Sequence, residues 1–377
     1  MKITYFSFVM AFIVISCSES EISSPLPVEG ESVDVTYTLL LQSNGSLSSM
    51  NLHANRETIT AQFGESAFPN EIFPEHIHRN QNELSWYSHK TDCKGKITVF
   101  NFETATLWQT EAFNDFSDCD LTIHAISHSD TQFFIAYEVT NEGKEHHYNI
   151  RLVSRSASGE NPVTIDIPIA HKPIQLLANE NRLFVLTGDE EESNTYVLKV
   201  LNLQSQTWIH EKNLGEHVQK IIKTDLGHVL IAYPRLHSIV DANTLINLTE
   251  VRYNEGFETK LGEASSEFLH GDRMFFARPS ALSPNYDHVP AVYTFETNTV
   301  ILFLYENFLS VEEREFLFEI EDTTLVAYDH LNDVLLIGYR KKGIAHLGGI
   351  LRITLGNAPK LIDHTNLNGV PYAFFMP

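Results

Sequence analysis

Short hydrophobic runs recur along the chain at a nearly constant spacing. Each run holds about four to six mostly apolar residues, and most are preceded by a short polar turn. Successive runs begin 45 to 50 residues apart, except for a last interval of 60, at Thr36, Leu84, Phe133, Leu183, Val229, Met274 and Val334. Such runs, bounded by turn residues and too short for helices, predict strands buried on both faces. The chain therefore contains seven similar units.

A second pattern follows the runs. Segments 99–107, 200–208 and 292–300 each alternate apolar and polar residues and then enter a polar turn, and 239–245 is a shorter version. This alternation predicts a strand with one buried face, followed by a hairpin. Each unit can therefore form four antiparallel strands.

Four-stranded units with a period of 40–50 residues are typical of a β-propeller, in which each blade covers the faces of its neighbours. We therefore predict an all-β fold over residues 34–377, with seven four-stranded blades. Six blades with an N-terminal extension, or two β-sandwiches, are the alternatives.

The two ends of this region complement each other. The first unit lacks a strand before Thr36, whereas Val370–Met376 is an apolar segment left over after the seventh unit. Pairing the two would close the ring and remove two exposed strand edges. We expect the C-terminal strand to complete the first blade.

The 60-residue interval contains a helix signal. Ser310 and Glu313 have the spacing of a capping box, in which each side chain accepts a hydrogen bond from the other residue's backbone N–H. We therefore expect a short helix over residues 311–317, inserted between blades six and seven.

The first sixteen residues have the features of an export signal. Lys2 precedes an apolar run that ends at Ile15 and is too short to span a bilayer comfortably. The end of the run and the two residues after it, Val14-Ile15-Ser16-Cys17, resemble the lipobox of bacterial lipoproteins. The resemblance implies cleavage before Cys17 and attachment of several acyl chains, which would hold the protein at a membrane. An ordinary secretory signal with a chance cysteine is the alternative.

Residues 17–33 are rich in Ser, Glu and Pro, a composition that predicts a flexible tether. The acidic stretch after the cysteine is similar to the surface-export signals of lipoproteins from the Bacteroidetes group. Ser18, rather than Asp, follows the cysteine, which in many Gram-negative lipoproteins accompanies sorting to the outer membrane. These resemblances imply a location in the bacterial envelope, at the outer membrane, with the domain facing the periplasm or the cell surface.

The net charge excludes one class of partner. The chain has 49 acidic and 26 basic residues and a formal charge of −23. Such a surface repels phosphate backbones, and no basic run is present, so we expect no nucleic acid partner. The charge could favour cations or basic partners, but dispersed acidic residues more commonly serve solubility.

Propeller topology assigns the loops to two faces. Turns between first and second strands and between third and fourth strands share one face, the tight-turn face, and are predicted to be uniformly short. The other face, the long-loop face, carries the segments 138–147, 187–195, 279–290, 340–349, 64–76, 114–120, 254–264 and 307–318. Because loops on rigid scaffolds commonly bind ligands, this face is the expected site for a protein, glycan or small molecule. Tolerated insertions are the alternative.

Two cysteines fall on this face. Cys93 lies in a second-to-third loop and Cys119 in the connection that leaves the same blade. In an oxidising envelope they could form a disulfide, worth about 3.5 kcal/mol by closure of a loop of about 26 residues. Two buried free thiols are the alternative.

Motifs for catalysis are missing from the sequence. The pairs His76/His78 and His146/His147 lack zinc-site spacing and are expected at the surface. The acidic run 189–192 lacks the pattern of a calcium loop. Neither a Gly-x-Ser-x-Gly elbow nor a phosphate-binding glycine loop occurs. We predict a non-catalytic binding or scaffold module without metal or cofactor. The alternative is an envelope hydrolase, lactonase or lyase whose carboxylates converge in the central channel.

Overall fold

The computed structural model describes residues 32–62, 68–69, 71–89, 94–116, 121–140, 146–155, 162–189, 195–255, 258–264, 266–280, 285–344, 346–356 and 358–376. Contacts divide the chain into residues 1–32 and a compact unit, Val33–Pro377. Cys17, Cys93 and Cys119 lie outside the described residues. Within the described part, no helix is long and apolar enough to cross a membrane.

The described residues form a seven-bladed β-propeller with four-stranded antiparallel blades. Blade 1 contains β29 (Val370–Phe375), β1 (Val35–Ser43), β2 (Ser46–Ala54) and β3 (Ile59–Gln62), with β4 (Glu71–Ile72) paired to β2. Blade 2 contains β5 (His76–Asn80), β6 (Glu83–Ser88), β7 (Lys96–Asn101) and β8 (Thr106–Glu111). Blade 3 contains β9 (Leu121–His128), β10 (Gln132–Thr140), β11 (His146–Ser154) and β12 (Thr164–Ile169).

The remaining blades follow in chain order. Blade 4 contains β13 (Lys172–Asn179), β14 (Arg182–Asp189), β15 (Thr195–Asn202) and β16 (Thr207–Glu216). Blade 5 contains β17 (Lys220–Lys223), β18 (Val229–Ala232), β19 (Leu236–Val240) and β20 (Asn247–Arg252). Blade 6 contains β21 (Glu267–His270), β22 (Arg273–Pro279), β23 (His288–Thr294) and β24 (Thr299–Leu302). Blade 7 contains β25 (Ile320–Asp329), β26 (Val334–Lys341), β27 (Gly348–Thr354) and β28 (Leu361–Leu367).

The hydrophobic core lies between the blades. Among the described residues, seven apolar clusters each join two consecutive blades, so every blade is covered on both faces. The second strand of each blade contributes to both of its clusters, which explains why its sequence is continuously apolar rather than alternating. In β6, for example, Trp86 packs toward blade 1 and Tyr87 toward blade 3.

The C-terminal strand closes the ring, as predicted. β29 pairs antiparallel with β1, placing Phe375 opposite Thr38 and Val370 opposite Gln42. The approach of β29 to blade 7 requires a glycine, because a Cβ atom at Gly338 would lie 2.7 Å from the Cβ atom of Pro371. Closure therefore depends on residues at opposite ends of the chain.

Polar residues near the tight turns link neighbouring blades. The Asn80 amide donates to the His128 carbonyl (3.4 Å) and the Asn179 amide to the Gly227 carbonyl (2.6 Å). The Gly271 N–H donates to the Asp225 carboxylate (2.7 Å). Three of these residues lie in turns between first and second strands, and the other three end the strands that lead into such turns. The turn signals in the sequence thus also connect the blades.

Two predictions about connections have different outcomes. The capping box is confirmed: the Ser310 N–H donates to the Glu313 carboxylate (2.6 Å) and the Glu313 N–H to the Ser310 hydroxyl (3.2 Å). The helix that follows is largely a π-helical turn, Glu313–Leu317. The expectation that the tight-turn face carries only short turns is wrong, because residues 155–163 separate β11 from β12. A polar surface loop costs little extra entropy when it lengthens, so blade packing does not restrict its length.

Candidate functional site

A large cavity runs along the propeller axis. Its volume is about 1040 Å³, and the inner strands of all seven blades contribute to its wall. The lining is polar as well as apolar and includes five histidines, His76, His78, His124, His270 and His330. A cavity of this size is sufficient for a small-molecule ligand. It is therefore the candidate site.

Several polar groups of the wall are held by neighbouring strands. Lys220 on β17 forms an ion pair with Glu267 on β21, with 2.7 Å between Nζ and the carboxylate. The Gln175 amide on β13 donates to the Ile221 carbonyl (2.7 Å) and accepts from the Ile221 N–H (2.9 Å). These contacts join blades 4, 5 and 6 around the cavity. They also fix the positions of the polar side chains that a ligand would meet.

A histidine–carboxylate group lies at the long-loop end of the cavity. Nε2 of His124 is 2.9 Å from the carboxylate of Glu138, which also bonds His146 and accepts from the Thr140 hydroxyl (3.2 Å). Burial opposes ionisation of Glu138, but the hydrogen bonds from His146, His124 and Thr140 outweigh it and lower the pKa of the carboxyl. Glu138 therefore stays ionised and orients His124 in the cavity wall.

His76 belongs to the same end of the cavity. It begins β5, directly after Glu75, and both residues line the wall. Burial lowers the pKa of the His76 imidazole, although the charge of Glu75 acts in the opposite direction. Two carboxylates and two imidazoles thus occur near one rim of the cavity.

A second histidine pair leads from the cavity into the seam between blades 2 and 3. The Nδ1 atoms of His78 and His128 lie 3.0 Å apart, and the Ser85 hydroxyl is 2.7 Å from His128 Nδ1. Burial lowers the pKa of His78 to about 4, assisted by the charge of Lys223, and lowers that of His128 as well. Both imidazoles are therefore neutral at pH 7.

The Glu83 carboxylate lies 3.5 Å from His128 Nε2, which makes no hydrogen bond to a described residue, and 2.7 Å from Arg155. Serine, histidine and glutamate thus lie in a row, but Ser85 and His128 are both 0% exposed. A substrate cannot reach the hydroxyl of Ser85, so the row serves as a buried hydrogen-bond network. Its pairing is incomplete at His128 Nε2, which limits the stability that it supplies.

Sequence reasoning found only part of this site. His76 and His78 were expected at the surface, but the structure places both in the cavity wall. His146 was also expected at the surface; it is largely exposed and bonds Glu138. Within the described ranges, no group of three His, Cys, Asp or Glu side chains could hold a metal ion. The sequence held one signal for the cavity wall. The polar residues just before the turns between first and second strands end the inner strands, and these strands line the cavity.

Comparison with known proteins supports the fold alone. No protein-family model matches the chain, and no curated protein matches it. The solved structure of a "putative 6-phosphogluconolactonase" from Bacteroides uniformis is 11% identical and covers 91% of this chain and 99% of its own, with a TM-score of 0.51. A second such structure, from Bacteroides fragilis, is 10% identical, covers 91% and 98%, and has a TM-score of 0.50. At these identities the likeness establishes a β-propeller and no more.

Proposed function

We propose that this chain is an envelope lipoprotein, anchored by lipid on Cys17, whose propeller is a non-catalytic binding or scaffold module. The axial cavity carries the binding part of the proposal, because it is large, polar and enclosed by rigid strands. The lipobox-like residues Val14–Cys17 support the anchor. The same residues support a bacterial envelope location, and Ser18 after the cysteine supports the outer membrane.

A residue just before β1 is hydrogen-bonded to blade 7. The Val33 N–H donates to the Asn332 side chain (3.1 Å), and the Asn332 amide donates back to the Val33 carbonyl (3.0 Å). Asn332 lies in the turn between β25 and β26, on the tight-turn face. Val33 is therefore held on the tight-turn face. We propose that the long-loop face is available to a partner.

The anchor is tested by Cys17→Ser in the native host, with Cys93→Ser as the matched control. We expect the wild type and the control to sediment with membranes and enter the detergent phase. The Cys17→Ser protein should leave the membrane fraction, since acyl chains supply the binding. Sedimentation of Cys17→Ser with membranes would refute lipid attachment. The proposed Cys93–Cys119 disulfide is checked separately, by mass spectrometry of unreduced peptides.

A turnover assay on the wild type and one variant distinguishes the binding role from catalysis. The purified chain and a Glu138→Gln variant are incubated with lactones, chromogenic glycosides and esters. We expect no turnover from either, because the carboxylate of Glu138 is already bonded by two histidines. Turnover by the wild type that is lost in Glu138→Gln would overturn the non-catalytic proposal.

A propeller enzyme of the hydrolase, lactonase or lyase kind is the second candidate. The observation in its favour is the group Glu75, His76, His124 and Glu138 at one rim of the cavity. Such groups can transfer protons if a substrate lies within hydrogen-bonding distance. The same turnover assay decides between the two candidates.

A further inference from the structure

Two cations in the axial cavity lack an ion-pair partner among the described residues. Arg79 on β5 uses Nη2 to donate to the Phe374 carbonyl (2.5 Å), and its guanidinium lies over the ring of Phe375, 4.5 Å from the centroid. Lys223 ends β17 and lines the same wall. No described carboxylate forms an ion pair with either side chain, although Lys220 nearby is paired with Glu267.

This arrangement is unusual for a chain with a formal charge of −23. Acidic residues outnumber basic ones almost two to one, so an unpaired cation in an enclosed space has to be explained. Burial lowers the pKa of the Arg79 guanidinium to about 10, although the charge of Glu267 acts against the shift. The desolvation of Arg79 is thus incompletely offset within the protein. An anion bound in the cavity would supply the missing partner.

The two cations border one part of the cavity. Both lie near the tight-turn ends of inner strands that line the cavity, Arg79 next to last in β5 and Lys223 last in β17. Because His78 is neutral at pH 7, Arg79 and Lys223 are the unpaired cations there. They come from blades 2 and 5, so a ligand with two separate anionic groups can pair with both.

Carboxylates at the mouth do not cancel this charge. Four described carboxylates also line the cavity. Glu180 and Asp225 lie in turns on the tight-turn face, Glu75 precedes β5 at the other rim, and Glu267 on β21 is paired with Lys220. Asp225 is bonded to the Gly271 N–H at 2.7 Å, so its carboxylate is held by the backbone of blade 6. The inner strands of the wall carry Arg79, Lys220 and Lys223 against Glu267, so this part of the cavity is cationic.

We propose that the axial cavity binds a small polyanion, with two or more carboxylate or phosphate groups, through Arg79 and Lys223. This inference rests on the proposed binding function and gives its ligand a chemical class. Lys223 supplies a point charge and Arg79 a donor fork, the two ways in which proteins bind such oxyanions.

Calorimetric titration of the purified full chain tests the proposal. The probes are tricarballylate and pyrophosphate, which separate the carboxylate and phosphate sources, with acetate as a monoanion and spermidine as a polycation. We expect one polyanion to bind at least about tenfold more tightly than acetate, and spermidine not to compete. Failure of both polyanions to bind the wild type at millimolar concentration would overturn the proposal.

Charge variants locate the site. Lys223→Met should lower the affinity for the polyanion at least about tenfold, and Lys223→Arg should restore this affinity. Lys360→Met is the matched control, since it removes the same charge from an exposed residue outside the cavity wall. Equal affinity in Lys223→Met and the wild type, or equal loss in Lys360→Met, would refute the assignment. Failure here is distinguishable from failure of the proposed function, which would appear as turnover that depends on Glu138.

Discussion

Two seams of the propeller contain the same kind of residue pair: the seam between blades 2 and 3 and the seam between blades 7 and 1. The two pairs differ in how fully their hydrogen bonds are formed. In each, an arginine on the third strand faces an aspartate on the fourth: Arg151 and Asp166, or Arg352 and Asp363. Both arginines are 0% exposed. The difference lies in how many of their donors are used.

Arg151 is fully engaged. It makes two hydrogen bonds to Asp166, two to Asp115 and one to the Ala112 carbonyl, at 2.6 to 2.8 Å. The guanidinium also lies over the ring of Phe113, 4.7 Å from the centroid. Arg352 donates through Nε to Asp363 and through Nη1 to the Asn55 carbonyl, but its buried Nη2 has no partner.

The comparison shows that the two seams are stabilised by different means. A buried guanidinium stabilises only when its donors are satisfied, so Arg151 holds its seam well and Arg352 less well. The seam between blades 7 and 1 has the pairing of β29 with β1 in addition. Removing each element should therefore affect the two seams unequally.

The largest effect is expected from deletion of residues 368–377, which removes β29. Phe374 and Phe375, at 0% and 2% exposed, would leave the cores on both sides of blade 1. We expect loss of cooperative thermal unfolding by circular dichroism, because two strand edges and two cores open at once. Removal of Pro377 alone is the control. A truncated chain that unfolds at the wild-type temperature would disprove the role of closure.

The next effect concerns the arginines. We expect Arg151→Met to lower the free energy of unfolding by about 3–5 kcal/mol, since it leaves two carboxylates without their partner. Arg352→Met should cost less, because one of its nitrogens is already unpaired. Urea unfolding of both variants measures the difference. An equal or reversed order would contradict the comparison.

Acid should destabilise the seam between blades 2 and 3 through its histidines. The folded pKa of His78 is about 4, below its ordinary value of 6.5, so the unfolded chain binds protons first as the pH falls. The stability that depends on the neutral ring is present above about pH 6.5 and is lost progressively toward pH 4. We expect the wild type to lose about 1–3 kcal/mol more than His78→Gln over this range. Parallel stability curves would show that His78 does not contribute.

The smallest effects are expected from single asparagines at the tight turns. Asn332 exchanges two hydrogen bonds with the Val33 backbone and donates a third to Asp329 (2.8 Å). Asn80 makes one long bond, of 3.4 Å, to the His128 carbonyl. We expect Asn332→Ala to cost about 1–2 kcal/mol and Asn80→Ala about 0.5 kcal/mol or less. Chemical denaturation should detect the first, and a larger loss in Asn80→Ala would reverse the assignment.

The sequence by itself determined the repeated part of this protein. The runs at Leu84 and Phe133, the closing strand Val370–Phe375 and the capping box at Ser310 were all predictable. Each depends on the order of apolar, polar and turn residues within one short segment, or on the number of segments. The number of blades follows from such local order, because blades 2 to 7 are each built from one continuous stretch of chain and blade 1 from its two ends.

Only the tertiary structure decided what surrounds the cavity. Arg79 meets Phe374 and Phe268, which come from blades 1 and 6 and lie far away in the sequence. The pairing of His78 with His128 likewise joins two blades. The reason is geometric: blade packing brings together side chains whose separation along the chain carries no pattern. Packing also explains why the expectation for residues 155–163 was wrong: it fixes the strands but places no limit on the length of the segment between β11 and β12.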